Sequence, residues 1–202
     1  FSANVLHGHK TGYFLDHRHN RLNVGQLAKG KTVLDVFAYA GGFSVHALAG
    51  GATEVISLDI SAQALQIAVL NVKLNPHSGT HTTIAADAFI GLQQLINNNK
   101  TFDIVVIDPP SFAKSAKEVE TAKNSYARLA LLGAQLVASD GLLILASCSS
   151  RITAQQFFDC SENALQQSDK SFRPIDKTYH DSDHPITFPE GAYLKCGYYK
   201  LV

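Results

Sequence analysis

The chain has 202 residues, 46% of them hydrophobic, which is enough for one full core and too little for two comfortable domains. Lysine plus arginine and aspartate plus glutamate balance at 17 each. That balance excludes a global pull on nucleic acid or anionic membranes, so a polyanionic partner would need a local basic patch or a further domain. No apolar run approaches the ~20 residues that span a bilayer, and the start, Phe1-Ser2-Ala3-Asn4, carries no basic segment followed by an apolar one. With Cys148, Cys160 and Cys196 odd in number and without metal-type spacing, a reducing cytoplasm with no membrane partner is the expectation. The sequence contains no methionine and does not begin with one, which reads as a chain that is not the whole gene product.

Gly12-Tyr13-Phe14-Leu15-Asp16 suggests a hairpin or lead-in strand, so residues 1–28 are expected to form an N-terminal hairpin and lead-in, with the main domain over 29–202. Strands are then expected at 32–37, 54–59, 82–87, 102–108 and 142–148. Between them fall helical stretches at 41–49, from an N-cap at Ser61 to about 74, at 116–138 closed by Ser139-Asp140-Gly141, and at 154–167. A strand-like tail covers 192–202. This alternation predicts an α/β fold, a mostly parallel sheet with helices on both faces.

The first four strands each end in, or contain near the end, an aspartate: Asp35, Asp59, Asp87 and Asp108. Open α/β sheets hold their ligands at the carboxyl ends of the strands. The turn Asp35-Val36-Phe37-Ala38-Tyr39-Ala40-Gly41-Gly42-Phe43 puts small residues where backbone approaches a ligand, although it is not a G-x-G-x-x-G dinucleotide fingerprint; a plain tight turn reads equally well. Asp59 is placed to accept from ribose hydroxyls, and Asp87, followed by Ala88 and Phe89, to meet an adenine edge. Singly these acids are ordinary strand ends, but four in succession point to one crevice.

Asp108-Pro109-Pro110 follows the fourth strand, where two prolines stop the ladder and stiffen the backbone. Its carboxylate can hold an exocyclic amine about to be alkylated, or the polar edge of a pyrimidine whose ring carbon is alkylated. Cys148, in Ala146-Ser147-Cys148-Ser149-Ser150, discriminates. Carbon 5 of cytosine is a poor nucleophile and needs prior attack at carbon 6, a covalent step suited to a thiolate. A buried cysteine packing as a small hydrophobe is the bland alternative, and it is the reading taken for Cys160 and Cys196. His7, His9, His17 and His19 form two H-x-H pairs with no Cys or carboxylate to complete a set, so no metal is expected. Lys10, Arg18 and Arg21 make the same segment locally basic, a phosphate contact or simply a solvated face.

Gly8-His9-Lys10-Thr11-Gly12-Tyr13-Phe14-Leu15-Asp16-His17-Arg18, the FAYAGGF turn, DPPSF, SCS, and the closing Asp183-His184-Pro185 and Pro189-Glu190-Gly191-Ala192-Tyr193-Leu194-Lys195 together resemble the ribosomal RNA large subunit methyltransferase I family. Those proteins are class I S-adenosylmethionine-dependent methyltransferases. The resemblance implies a Rossmann-like seven-stranded methyltransferase fold, S-adenosylmethionine as cofactor and 5-methylcytosine formation in 23S rRNA. Carried onto matching positions, it implies Cys148 as nucleophile and Asp108 on the cytosine edge. It also implies a cofactor pocket from Phe37, Gly41, Gly42, Phe43, Asp59, Asp87, Ala88 and Asp108, with Lys10, Arg18, Pro109 and Pro110 toward the RNA. The family's N-terminal RNA-binding PUA domain is missing from this sequence. Oligomeric state is left open, a homodimer among the forms.

Overall fold

The computed structural model describes residues 1–3 and 13–202. Two compact units divide the chain, Phe1–Gly91 and Leu92–Val202.

In the first unit three strands run parallel: β1 (Thr32–Val36), β2 (Glu54–Asp59) and β3 (Thr80–Ala85). β1 and β2 are buried along nearly their whole length, as strands covered on both faces must be, and their β-branched runs supply that burial. β3 carries Thr and His and is the exposed edge. Helices α1 (Arg18–Leu27), α2 (Gly42–Ala49), α3 (Ala62–Lys73) and α4, which begins in this unit and spans Ala88–Asn97, complete the set up to Gly91. Ser61 caps α3 as expected, its hydroxyl accepting from the Ala64 amide at 3.2 Å.

The lead-in corrects one expectation. Instead of a hairpin, the described part is helical: a 3-10 turn at Leu15–His17 runs into α1. His17, Asn20, Arg21, Val24, Gly25 and Ala28 are the buried positions, a spacing of three and four, and this period overrides the strand-forming aromatics before it. Residues 4–12, which hold His7, His9, Lys10 and much of the GHKTGYFLD stretch, lie outside the described residues.

The second unit holds β4 (Phe102–Ile107), β5 (Val137–Ser147), β6 (Phe172–Thr178) and β7 (Lys195–Leu201), with α5 (Val119–Leu136) and α6 (Ala154–Gln166). β4 and β5 are parallel, whereas β7 is antiparallel to both β5 and β6. The turn expected at residues 139–141 falls inside β5. There the pairing with β4 jumps from Phe102↔Val137 to Ile104↔Leu142, and Asp140 takes a φ of 59°. β6 escapes sequence patterning because Pro174 and a run of charges break its alternation; it is a solvent-exposed edge strand, where such residues belong. Among the described residues the mixed sheet has seven strands, ordered β3-β2-β1 in the first unit and β4-β5-β7-β6 in the second. Among the described residues, no helix is long and apolar enough to cross a membrane.

Candidate active site

In the first unit the strand ends are built around a loop of unusual backbone. Phe37, Tyr39 and Gly41 have φ of 64°, 48° and 77°, so two non-glycine residues hold a left-handed conformation within five positions. Strain of this kind persists only where the surroundings impose it, and it concentrates at ligand clamps. Here the surroundings are explicit. The Phe37 and Ala38 amides both donate to the Leu58 carbonyl, at 2.8 and 3.1 Å, and the Tyr39 amide donates to Asp59 Oδ2 at 2.9 Å. Gly41 is required: a Cβ there would stand 2.9 Å from the Ala68 Cβ on α3.

The aspartates at these strand ends divide by role. Asp35 is 1% exposed, and its Oδ2 accepts from the Ser44 amide at 3.0 Å and the Ser44 hydroxyl at 2.6 Å, so it fastens the first turn of α2. Ser44 in turn meets the Ser57 hydroxyl at 2.6 Å, and Ser57 meets His81 Nε2 at 2.8 Å. Burial, followed by His77, pushes the His81 pKa below its ordinary value. Asp59 is half-buried, with its Oδ1 taking the Ser61 amide at 2.8 Å. Asp87 is exposed, and its Oδ1 accepts the Phe89 amide at 3.0 Å and the Ile90 amide at 3.3 Å at the start of α4. A carboxylate oxygen has capacity beyond these bonds, so both Asp59 and Asp87 fit a ribose diol or an adenine amine. Gly42 opens α2, Phe43 is buried with its ring centroid 5.5 Å from that of His17, and Ala88 is buried at the start of α4.

Arg18 is exposed at the start of α1, but Arg21 is 4% exposed. The Arg21 guanidinium donates to the Phe14 carbonyl at 2.6 Å and lies 4.4 Å from the Tyr13 ring centre. Arg21, read as a phosphate contact or a solvated residue, is instead an internal tie, because it is buried with its flat face on the Tyr13 ring.

The second unit brings a separate set of strand-end residues together. Asp108 and Pro109 follow β4, with Pro109 buried and Pro110 exposed, and Cys148 follows β5, the parallel neighbour. The Cys148 sulfur lies 3.9 Å from the Pro109 carbonyl oxygen, so DPP and SCS meet. Tyr126 on α5, absent from the sequence reading, joins them. Ser147 donates to its hydroxyl at 2.9 Å, and Phe112 of DPPSF packs on its ring with centroids 5.1 Å apart. Burial raises Tyr126 to about 12, so the phenol stays protonated at neutral pH.

Lys195, the last residue of the 189–195 stretch, is fully buried. Its ammonium donates to the Ser149 carbonyl, to Ile152 at 2.6 Å and to Tyr193 at 3.0 Å. Burial lowers its pKa to about 8, and the Cys148 thiolate acts in the opposite sense. Cys196 is buried on β7 and Cys160 half-buried on α6, and burial raises both thiols. Both therefore match the packing role expected of them.

A family model described as S-adenosylmethionine-dependent methyltransferase matches residues 1–177. The chain is 41% identical over its full 202 residues to a ribosomal RNA large subunit methyltransferase of Deinococcus radiodurans. It is 38% identical over 197 residues, 96% of its length, to ribosomal RNA large subunit methyltransferase I of Tolumonas auensis. In both cases it spans 50% of the relative, so the chain covers about half the length of the curated relatives it matches. The crystal structure of SMU.776 complexed with SAH superposes with a TM-score of 0.82 at 29% identity, covering 94% of this chain and 50% of that one. The cofactor is S-adenosylmethionine, and the chain belongs to the S-adenosylmethionine-dependent methyltransferase family.

Proposed function

We propose that the protein methylates carbon 5 of a cytosine in large-subunit ribosomal RNA, in the cytoplasm, through a covalent adduct on Cys148. The observation that carries this reading is the placement of the Cys148 thiol at the end of β5, 3.9 Å from the Pro109 carbonyl and with the buried Lys195 ammonium in electrostatic reach. An enzyme that alkylates an amine has no use for a thiol at this place, because a nitrogen lone pair attacks without prior activation. The names of the relatives support ribosomal RNA as substrate.

The residues divide the work as follows. S-adenosylmethionine supplies an electrophilic methyl group on a sulfonium. Phe37, Gly41, Gly42 and Phe43 line its methionine part, Asp59 binds the ribose, and Asp87 with Ala88 meets the adenine. Asp108 accepts from the exocyclic amine of the cytosine, and Pro109 and Pro110 hold its carboxylate in place by restricting the loop. The Cys148 thiolate adds to carbon 6, and the ring electrons shift so that carbon 5 becomes nucleophilic. Carbon 5 takes the methyl group as the cofactor's sulfur–methyl bond breaks and a neutral thioether leaves; the carbon 5 proton then passes to solvent, its electron pair restores the ring double bond, and Cys148 leaves as the thiolate. Arg18, exposed at the start of α1, contacts the RNA backbone.

Nucleoside mass spectrometry of 23S rRNA incubated with the full-length protein and isotopically labelled S-adenosylmethionine tests the proposal. Label in 5-methylcytidine, lost on Cys148→Ala with cofactor affinity retained, is the expected result. Label in a methylated purine, or turnover that survives Cys148→Ala, overturns it.

A further inference from the structure

Lys195 is a buried cation whose hydrogen bonds all go to backbone carbonyls. It stands at 0% exposure with Ser149, Ile152 and Tyr193 as its acceptors. Taking an ammonium out of water is costly unless it is paired or hydrogen-bonded, and a lysine kept only to fill space would be replaced by an apolar side chain at no loss. Three carbonyls use all three ammonium hydrogens, so Lys195 has none left to give to a substrate or to a thiolate directly. Two of those carbonyls, Ser149 and Ile152, belong to the loop that leaves Cys148 and leads to the N-cap of α6 at Thr153. The antiparallel register sets Lys195 opposite Ser147, the residue before Cys148. The lysine thus grips the chain immediately after the thiol from the strand that pairs immediately before it.

We propose that Lys195 is a positioning residue for Cys148: it fixes the Ser149–Ile152 backbone and supplies the buried positive charge that favours the thiolate. The inference rests on Cys148 as the nucleophile and adds what activates it. A free thiol near pKa ~8.5 is mostly protonated at neutral pH, so some cation must act if the adduct is to form at a useful rate. Among the described residues, titratable groups near the sulfur include members of three segments. Asp108, after β4, immediately precedes Pro109, whose carbonyl the sulfur approaches. Tyr126, on α5, is neutral because burial raises it to about 12. Lys195, on β7, is the attractive partner, and it interacts with Cys148 electrostatically. The low dielectric around a buried ammonium strengthens its attraction for a thiolate.

The test is the pH dependence of iodoacetamide labelling at Cys148, read by peptide mass spectrometry on the full-length protein and on Lys195→Met and Lys195→Arg. In Lys195→Met the labelling midpoint should rise by about one pH unit or more, with kcat for methyl transfer at neutral pH falling at least about tenfold and cofactor Kd unchanged. Lys195→Arg should restore most of the labelling midpoint, which a purely space-filling role would not require. An unchanged midpoint in Lys195→Met overturns the inference even if activity falls. If Lys195→Met does not fold, the reciprocal measurement decides: in Cys148→Ser, the Lys195 pKa followed by nitrogen-detected NMR should drop, and no change overturns the proposal. Failure of the C5 reading shows elsewhere, as transfer that survives Cys148→Ala.

Discussion

Ser147 donates a hydrogen bond to the Tyr126 hydroxyl at 2.9 Å, and through this contact α5 is tied to the end of the strand that carries Cys148. Ser147 is fully buried, and its own oxygen takes the Ser149 amide at 3.3 Å. Tyr126→Phe would leave the Ser147 hydroxyl without its acceptor, at a cost of about 1–3 kcal/mol. Urea unfolding should show that loss. Steady-state kinetics should show a lower kcat with cofactor affinity unchanged, and a drop in cofactor affinity instead would mean Tyr126 does not act through the Cys148 segment.

Asp59 tests the cofactor side. Its two oxygens accept separate backbone amides, from Tyr39 and Ser61. Asp59→Asn replaces one acceptor with an amino group that faces an N–H, and it removes the charge from the proposed ribose contact. Bonds to charged groups are worth about 1.5–3 kcal/mol, so S-adenosylmethionine affinity by calorimetry should fall at least about tenfold. Transfer should persist at saturating cofactor, and an unchanged Kd would remove Asp59 from the site.

Gly41 should be far less tolerant than another glycine in the same backbone region. Gly41→Ala forces a φ of 77° on alanine and drives its Cβ to 2.9 Å from that of Ala68. Gly30, at a φ of 72°, has nothing within 4 Å of the same position. Both pay the backbone cost, roughly 1–3 kcal/mol, and only Gly41→Ala adds the clash. The Tm should fall further for Gly41→Ala, by about 2–4 °C for each extra kcal/mol. Equal losses would show that α3 yields.

Acid should weaken the first unit through His81. Burial, then His77, holds His81 below its ordinary value of 6.5, so the unfolded chain binds more protons over the interval beneath that value. Stability from this group is therefore complete above about pH 6.5 and is lost as the pH falls through the lowered value. Urea midpoints at about pH 7.5 and 5.5 should differ for the wild type and differ less for His81→Gln. An identical acid loss in both proteins would assign the effect elsewhere, with His46, also lowered by burial, the next group to replace.

Local patterning was enough to find β2 at its observed bounds, the Ser61 cap, α6 to within a residue, and the acids at the strand ends, because each is written in neighbouring residues. The Cys148–Pro109 approach followed from two motifs on adjacent parallel strands. The lead-in was misread because Tyr13 and Phe14 favour strands, while the buried period from His17 to Ala28 is helical. β6 was missed because an edge strand keeps its backbone ladder on one side and has no apolar face to advertise it.

Asp35, Arg21, Tyr126 and Lys195 show what patterning could not reach. A sequence says that these groups are polar, and it does not say whether water or the protein satisfies them. That depends on partners far along the chain: Ser149 and Ile152 are more than forty residues from Lys195, and register brings them to its ammonium. The strand-end acids and Cys148 were therefore legible as candidates from residue type and local order. Which of them are held, buried or given a charged neighbour was decided by strand pairing and by packing between helices and sheet.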